Sequence, residues 1–299
     1  MKRILIIGYG SIGKKHAKIL REKFKNTSIF IFSKRKIPRY FNKIESLNNI
    51  KNYKFQYVYI CSKTSDHILH LKIIDSQLKN VNIVIEKPLF KKFYNYKSNR
   101  NKILVAYNLR FHPVLKFIKN FIKNKNIFFI NIYCGSYLPD WKKSINYINS
   151  YSASKKDGGG VLLDLSHEID YLTWIFGKIS KIDFADSNKI SNLNINSDDH
   201  LIVAGNVSNV KFIINMNYYS KINERFIKIY GANFTLKGDL ISNKVEIHNK
   251  KKIIKKFKLE NNFTYIQEQK FLFRKKFKLF CNLNEGKYIM KIIDKLKNN

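Results

Sequence analysis

The sequence predicts an α/β protein in two parts: a doubly wound parallel sheet, then an α/β domain with a large, mostly antiparallel open sheet. Two observations support this prediction. Short apolar runs alternate with amphipathic stretches through the first third of the 299 residues, as expected for strand-helix-strand units. After Pro113 the runs lengthen and alternate between apolar and polar residues, which is typical of antiparallel strands with one solvated face. The predicted domains are 1–115 and 116–299.

Each element follows from local periodicity. In the first part, helices are predicted at "KKHAKILREKF", where Ala17, Leu20 and Phe24 share one stripe, and at "DHILHLKIIDSQLK". The strands predicted there are "RILIIG", "SIFIFS", "YVYIC", "NIVIEKP" and "KILVAYN". In the second part, "PVLKFIKNFIK" and "GKYIMKIIDKLKNN" are predicted helices, and the predicted strands are "NIFFINIYCGSYL", "HLIVAGNV", "VKFIINMNYYS" and "RFIKIYG".

Cysteine usage and hydropathy restrict the class of protein. Cys61, Cys134 and Cys281 are odd in number and lack C-x-x-C spacing, which argues against a disulfide framework or a zinc site. The run "ILII" near the start is too short for a signal peptide, and no stretch approaches the roughly 18 apolar residues of a membrane span. We expect a cytoplasmic protein with no membrane partner and no metal.

The formal net charge of +36 raises the alternative of nucleic-acid binding. The lysines are scattered through every segment, however, and Lys, Asn and Ile are abundant together, which indicates a genome-wide drift towards A/T-rich codons. We therefore expect no specific nucleic-acid binding. The remaining positive field favours anionic ligands such as phosphates, nucleotides or acidic sugars.

The stretch "IIGYGSIGKKH" predicts a dinucleotide-binding turn. Gly8, Gly10 and Gly13 follow a strand and open a helix, which is the setting that the G-x-G-x-x-G pattern requires. Gly8 permits the tight turn, Gly10 allows close approach to a pyrophosphate, and Gly13 allows the helix to pack on the strand. The helix N-terminus then offers N–H groups to the phosphates.

The end of the second strand indicates which dinucleotide is bound. An acidic residue there would hold the ribose 2′-hydroxyl of NAD, but this strand is followed by "SKRK" and no acid appears before Glu45. Ser33, Lys34 and Arg35 suit a 2′-phosphate. NADP(H) is the predicted cofactor with NAD(H) as the alternative, unless these cations belong only to the general lysine excess.

A second glycine cluster, Gly158 to Gly160, leads into "VLLDLSHEIDYLTWIFG". If that run is one helix, Asp164, His167 and Tyr171 lie on one face at positions i, i+3 and i+7. Alone, the pattern is also compatible with a first-turn acid and a structural histidine.

Taken together, "EKPL" (86–89), "YNLRFHP" (107–113) and "GGGVLLDLSHEID" (158–170), behind the N-terminal G-x-G-x-x-G, resemble the glucose-fructose oxidoreductase / inositol dehydrogenase (Gfo/Idh/MocA) family. The resemblance covers nearly the whole chain. "SYLPDW" (136–141), followed by "SYSASKKDGGG", further resembles members found among enzymes of bacterial surface-sugar biosynthesis.

The resemblance implies an NAD(P)-dependent oxidoreductase that acts on the CH–OH group of a sugar or nucleotide sugar. It implies a Rossmann domain joined to a larger-sheet α/β domain, with the nicotinamide between them, and a homo-dimer or homo-tetramer formed through the exposed sheet face. The lysine of its EKP motif, which works at the reacting hydroxyl or carbonyl, matches Lys87, and Pro88 is expected to hold it rigidly, with a cis bond accessible. The acid and histidine after the glycine cluster match Asp164 and His167.

Two departures from the family pattern bear on the site. Only Leu165 and Ser166 separate Asp164 from His167, where many members have three residues, so the division of roles between these two side chains stays open. The segment 90–101 is short for the usual helix after EKP, which predicts a trimmed crossover.

Hydride transfer requires a group that moves the hydroxyl proton, and the predicted catalytic residues are Lys87, His167 and Asp164. His167 would relay or share the proton and Asp164 would fix its tautomer. The predicted substrate ligands are Asn108, Arg110, Trp141, Asp164 and His167. A structural ion pair is the alternative for Arg110, and a cap on a small core is the alternative for Trp141. The predicted cofactor ligands are Gly8, Gly10, Ser11, Ile12, Gly13, Ser33, Lys34, Arg35, Cys61, Thr64, His67, Glu86 and Lys87.

Two other functions stay open from the sequence. A relative that retains NAD and uses it for a redox-assisted elimination, such as glycoside cleavage, would copurify with its cofactor. A non-catalytic dinucleotide sensor would bind the cofactor without any substrate-dependent change in nicotinamide absorbance.

Overall fold

A computed structural model describes residues 1–141 and 146–297. In chain order the strands are β1 (Lys2–Ile7), β2 (Thr27–Phe32), β3 (Asn42–Ile44), β4 (Tyr57–Ile60), β5 (Asn82–Ile85), β6 (Lys102–Val105), β7 (Ile127–Tyr137), β8 (Ile179–Asn188), β9 (His200–Val207), β10 (Val210–Asn217), β11 (Tyr219–Gly231), β12 (Phe234–Asp239), β13 (Lys244–His248), β14 (Lys252–Lys256) and β15 (Cys281–Asn282). The helices are α1 (Ser11–Lys23), α2 (His67–Gln77), α3 (Pro113–Phe121), α4 (Val161–Asp164), α5 (His167–Phe176), α6 (Phe263–Phe273) and α7 (Leu283–Lys297).

The chain divides into two compact units. The first comprises Met1–Asn108 and Thr264–Lys291, and the second comprises Leu109–Phe263 and the end of the chain from Ile292. The sequence-based ranges 1–115 and 116–299 assign Thr264–Lys291 to the second domain, whereas its contacts place it with the first unit. This segment includes the two-residue strand β15, which pairs with β6 of the first sheet and is too short to produce a periodic signal.

The first unit contains a seven-stranded sheet of order β15-β6-β5-β4-β1-β2-β3, in which only β15 is antiparallel. The residues of β4 and the second half of β1 are buried throughout, as a parallel sheet covered on both faces requires. Ile7 pairs with both Phe32 and Ile60, so the segments that follow β1, β2 and β4 begin at one edge. This edge is formed by the carboxyl ends of the strands. Ligands of open α/β sheets bind there, next to the point at which the strand order reverses.

The crossover from β5 to β6 contains no helix, as the short 90–101 segment predicts. Its loop is held by the carboxylate of Asp75 on α2. That carboxylate accepts hydrogen bonds from the Tyr96 hydroxyl at 2.6 Å, the Ser98 hydroxyl at 2.7 Å and the Asn101 amide at 2.8 Å. These polar contacts take the place of helix packing on this face of the sheet.

The second unit contains an eight-stranded sheet of order β14-β13-β12-β11-β7-β10-β9-β8. Only β7 and β10 are parallel neighbours, so the predicted fold class is confirmed. One face carries the apolar core. The other carries aromatic pairs, with Tyr133 stacked on Phe226 at 5.5 Å and Phe129 at 6.0 Å from Tyr230.

Across the described ranges, no helix combines the length and the apolar character needed to cross a bilayer.

Candidate active site

The glycine turn after β1 has no room for side chains at two of its three glycines. Gly8 has a φ of +96°, and a Cβ there would lie 2.6 Å from the carbonyl oxygen of Cys61. A Cβ on Gly13 would collide with the carbonyl oxygen of Gly8. The turn therefore packs tightly between its own helix and the end of β4, which is the packing role that the sequence predicts for these positions.

Gly10 differs, because a Cβ built there would meet no atom within 4 Å. It precedes the 13-residue helix α1 and supplies no side-chain cap. The first N–H groups of that helix, including those of Ser11 and Ile12, have no acceptor within the helix itself. An open space in front of a helix N-terminus is a cradle that fits a phosphate group, since the free donors and the helix dipole both favour an anion.

The segment after β2 presents cations at the same edge. Lys34 and Arg35 are exposed, and Ser33 is half-buried with its hydroxyl accepting the backbone N–H of Arg35 at 3.1 Å. Among the described residues from Ser33 to Arg39 there is no acidic side chain to oppose a 2′-phosphate.

The segment after β4 contributes mainly backbone. Cys61 is buried, and burial together with the nearby Glu86 and Glu268 carboxyl groups raises the pKa of its thiol well above the usual value. Thr64 is 9% exposed, and His67 is 1% exposed. The His67 Nδ1 lies 3.2 Å from the carbonyl oxygens of Pro88 and Leu89. These contacts direct the ring towards the backbone of its own unit, whereas the sequence-based expectation is a direct cofactor ligand.

The EKP segment follows β5. Lys87 is half-buried, whereas its neighbours Glu86 and Pro88 are buried, and the Lys87–Pro88 peptide bond is cis. The Glu86 Oε1 lies 2.7 Å from Nε2 of His16 on α1. Further along, the Asn108 amide donates to the Thr264 hydroxyl at 2.7 Å.

One cluster in this unit brings together possible metal ligands that the sequence spacing does not reveal. His16, Cys61 and Glu86 place ligand atoms within 4.8 Å of one another. Both ring nitrogens of His16 already have partners, since Nδ1 lies 3.0 Å from the Gln269 amide nitrogen. We therefore interpret the cluster as a hydrogen-bond network between His16, Glu86 and Gln269 and not as a metal site.

In the second unit, the run after the glycine cluster forms two helices, so the condition of a single helix is not met. α4 ends at Asp164 and α5 begins at His167, since Leu165 leaves the helical conformation at φ −99° and ψ 24°. A Cβ on Gly160, at φ +112°, would strike the Asp198 carboxylate, which accepts the backbone N–H of Leu162 at 2.8 Å. The one-face argument for Asp164, His167 and Tyr171 therefore does not apply.

Asp164 forms a hydrogen bond with Tyr218. The Tyr218 hydroxyl donates to the Asp164 Oδ2 at 2.7 Å, and both side chains are buried. Burial raises the pKa of Tyr218 well above its usual value, and the Asp164 carboxylate adds to the shift, so the tyrosine stays a donor. His167 is 7% exposed at the first position of α5.

Trp141 stands edge-on to Tyr218, with ring centroids 5.1 Å apart, and its indole N–H donates to the Ser136 hydroxyl at 2.9 Å. The indole remains 37% exposed, which leaves part of its surface open to a ligand. Tyr218 was missed by the sequence reasoning because it lies inside an alternating run, where nothing distinguishes it from a core tyrosine.

The structure favours the alternative left open for Arg110. Its side chain is 1% exposed and holds Asp170, with Nη2 at 2.7 Å from Oδ1 and Nε at 3.0 Å from the same oxygen. A guanidinium buried in this way has no surface to offer a substrate. The interaction joins the start of the second unit to α5.

Comparisons with known proteins agree with this architecture. The family model described as "Oxidoreductase family, C-terminal alpha/beta domain" matches residues 120–277. A search of curated proteins finds no match. The chain is similar to the structure of a levoglucosan dehydrogenase in complex with NADH, with a TM-score of 0.82 at 16% identity over 99% of this chain and 96% of that one.

Two further solved structures have similar folds. The WlbA dehydrogenase from Bordetella pertussis, in complex with NADH and UDP-GlcNAcA, has a TM-score of 0.75 at 14% identity over 99% of this chain and 95% of that one. The UDP-N-acetylglucosamine 3-dehydrogenase GnnA from Acidithiobacillus ferrooxidans has a TM-score of 0.74 at 12% identity, covering 99% and 97%. At these identities the likeness shows a shared fold.

Proposed function

Because this chain belongs to the Gfo/Idh/MocA oxidoreductase family, we propose that it transfers a hydride between a nicotinamide cofactor and a hydroxyl or carbonyl carbon of a sugar. The observation that carries the proposal is the open space at Gly10. A Cβ at Gly8 or Gly13 would collide with the backbone, whereas a Cβ at Gly10 would occupy space that is open for a phosphate. In this proposal the pyrophosphate lies against Gly10, Ser11 and Ile12.

For the choice of dinucleotide, we propose NADP(H), with NAD(H) as the weaker ligand. Ser33, Lys34 and Arg35 supply one hydroxyl and two exposed cations for a 2′-phosphate. The levoglucosan dehydrogenase and WlbA structures are complexes with NADH, so the preference rests on this chain's own residues. Cys61, Thr64 and Glu86 would contribute to the cofactor site through the segments that follow β4 and β5.

When bound, the nicotinamide would supply the hydride acceptor or donor. Lys87 would move the proton of the reacting hydroxyl, since it is the half-buried cation of an otherwise buried turn at the ligand edge of the sheet. In the second unit, Tyr218 holds one oxygen of Asp164 and so fixes the orientation of that carboxylate. Asp164, His167 and Trp141 would bind the substrate, with His167 also able to exchange a proton.

The proposed substrate is a nucleotide sugar used for a cell-surface glycan. Supporting this, two neighbours are named for or solved with UDP-linked sugars. The net charge of +36 favours an anionic substrate. The exposed part of Trp141 suits the apolar face of a sugar ring.

Two further proposals concern the protein's state in the cell. We propose a homo-dimer or homo-tetramer formed through the aromatic face of the eight-stranded sheet, which includes Phe129, Tyr133, Phe226 and Tyr230. Light scattering coupled to size exclusion would measure the mass. We propose a cytoplasmic location because Cys61, Cys134 and Cys281 are buried thiols that form no disulfide.

The testing experiment is a screen of UDP-GlcNAcA, UDP-N-acetylglucosamine and levoglucosan with NADP⁺ and NAD⁺, followed by nicotinamide absorbance. The proposal predicts a substrate-dependent signal with at least one UDP-linked sugar, and its loss in Gly10→Val. Tight cofactor binding with no signal would favour the sensor. Turnover without added cofactor, in protein that copurifies with NAD, would favour the redox-assisted elimination.

A further inference from the structure

We infer that two buried histidines, His16 and His67, are positioning residues that hold the chain immediately before and immediately after Lys87. The inference rests on the proposed function, because it matters for catalysis only if Lys87 does. His16 is 0% exposed and His67 is 1% exposed, so neither ring can touch a substrate from solution. Each binds a residue next to Lys87 in the chain.

His16 acts on the side chain that precedes Lys87. The Gln269 amide nitrogen lies 3.0 Å from its Nδ1, so Nδ1 accepts and the ring proton belongs on Nε2. From there it is donated to the Glu86 carboxylate at 2.7 Å, a hydrogen bond to a charged group. Gln269 thus fixes the tautomer of His16. Because Gln269 lies on α6, a distant part of the chain helps to keep His16 bound to Glu86.

His67 acts on the backbone that follows Lys87. Its Nδ1 lies 3.2 Å from the carbonyl oxygens of both Pro88 and Leu89, and its Nε2 lies 3.2 Å from the carbonyl oxygen of Ser62. Burial lowers the pKa of this imidazole, so the neutral form is favoured. A neutral ring has a single N–H, and with that proton on Nδ1 it donates to the carbonyl oxygens of Pro88 and Leu89. The ring then holds the segment after β5 without adding a charge beside the cofactor edge.

These contacts restrict Lys87 at its two ends while its own side chain stays half-buried. A long, flexible cation can be an effective proton carrier only if its backbone is fixed, because a misplacement of about 1 Å can cost on the order of 100-fold in rate. Removing either histidine frees one end of the turn. The cofactor cradle at Gly10 lies on a different segment from His67 but at the N-terminus of the helix that carries His16, so the NADPH Kd of each variant shows whether the cradle is intact.

The chain offers matched variants. His16→Gln and His67→Gln retain an N–H donor near the position of the ring, whereas His16→Ala and His67→Ala do not. His70 is a control, because it lies on the same helix as His67 and binds the Ser62 hydroxyl at 2.9 Å, not the 86–89 turn. His70→Ala therefore reports the effect of losing a half-buried histidine from α2.

The experiment measures kcat with the best sugar of the screen, the NADPH Kd, the melting temperature and the acetic anhydride labelling of Lys87 by peptide mass spectrometry. We expect the alanine variants to lose about 10- to 100-fold in kcat with the NADPH Kd within about threefold of the parent. We expect the glutamine variants to recover part of the lost kcat. We also expect the extent of Lys87 labelling to change in the alanine variants of His16 and His67 and to stay at the parental level in His70→Ala.

Alanine variants with parental kcat and parental Lys87 labelling would overturn the inference, and so would kcat losses that follow the melting temperature across all variants, His70→Ala included. If the alanine variants do not fold, the same comparison is made with the glutamine variants. Failure of the proposed function gives a different result, because Lys87→Met would then keep the parental kcat. The labelling of Lys87 needs no substrate, so it would still show whether the two histidines hold the turn.

Discussion

The hydroxyl of Tyr218 donates a hydrogen bond to Oδ2 of Asp164 across 2.7 Å, between two buried side chains. The bond ties the residue between β10 and β11 to the end of α4. It also restrains the Asp164 carboxylate, as the proposed role of this residue in substrate binding would require.

Tyr218→Phe removes this donor and leaves the acceptor buried. We expect the free energy of unfolding to fall by about 1–3 kcal/mol, the cost of depriving a buried polar group of its partner. Denaturant unfolding measures the loss. Tyr219→Phe is the matched control, since the neighbouring hydroxyl lies 2.8 Å from His200 Nδ1 at a more exposed position and should cost less. Equal losses in the two variants would show that the Asp164 bond has no special weight.

Gly10→Val tests the cradle. Because a Cβ at Gly10 meets no atom within 4 Å, the variant should keep the parental melting temperature while losing NADPH binding by calorimetry. Gly13→Val is the contrasting variant, since its Cβ would collide with the Gly8 carbonyl oxygen and should destabilise the fold itself. A Gly10→Val protein that binds NADPH as well as the parent would mean that the turn holds no pyrophosphate.

Arg35→Ala tests the choice of cofactor. Losing a charged hydrogen bond to a 2′-phosphate should cost about 1.5–3 kcal/mol in NADPH binding, or roughly 10- to 150-fold in Kd. NADH affinity should stay unchanged. Fluorescence titration with both dinucleotides measures this, and Arg39→Ala, another exposed arginine of the same segment, is the control. Parental NADH binding as tight as parental NADPH binding would refute the preference.

Glu268 predicts a pH dependence. It is 1% exposed, and burial followed by the neighbouring Glu86 raises the pKa of its carboxyl group well above the usual value. Between the unfolded pKa, about 4.3, and the raised folded pKa, the folded chain binds more protons than the unfolded chain. Its contribution to stability is therefore complete at low pH and is lost as the pH rises.

Glu268→Gln removes this pH-dependent loss of stability. The melting temperature of the variant should therefore rise relative to that of the parent as the pH is raised from about 5 to about 8. Scanning calorimetry at several pH values follows the difference. Glu22→Gln, a change at an exposed position of α1, should show no such trend. A difference that shrinks with rising pH would mean that Glu268 is ionised in the folded protein.

The sequence was sufficient for features with strong local signals. The strand before Gly8 and the helix after it, the trimmed 90–101 crossover and the large second sheet all follow from periodicity, glycine placement or segment length. Features set by distant contacts were not predictable. The break at Leu165 depends on backbone conformation within an apolar run, and the Tyr218–Asp164 bond joins residues far apart in the chain. Arg110 could not be assigned from sequence, because an arginine at a strand end fits an ion pair and a ligand equally well.

Lys87→Met tests the central claim most directly, with kcat and the NADPH Kd measured on one preparation using the best sugar of the screen. If Lys87 moves the hydroxyl proton, kcat falls by about 100- to 10,000-fold, the usual loss for general acid-base catalysis, and the Kd changes little. If Lys87 only contacts a cofactor phosphate, the Kd rises and kcat at saturation stays within about tenfold of the parent, which would contradict the account.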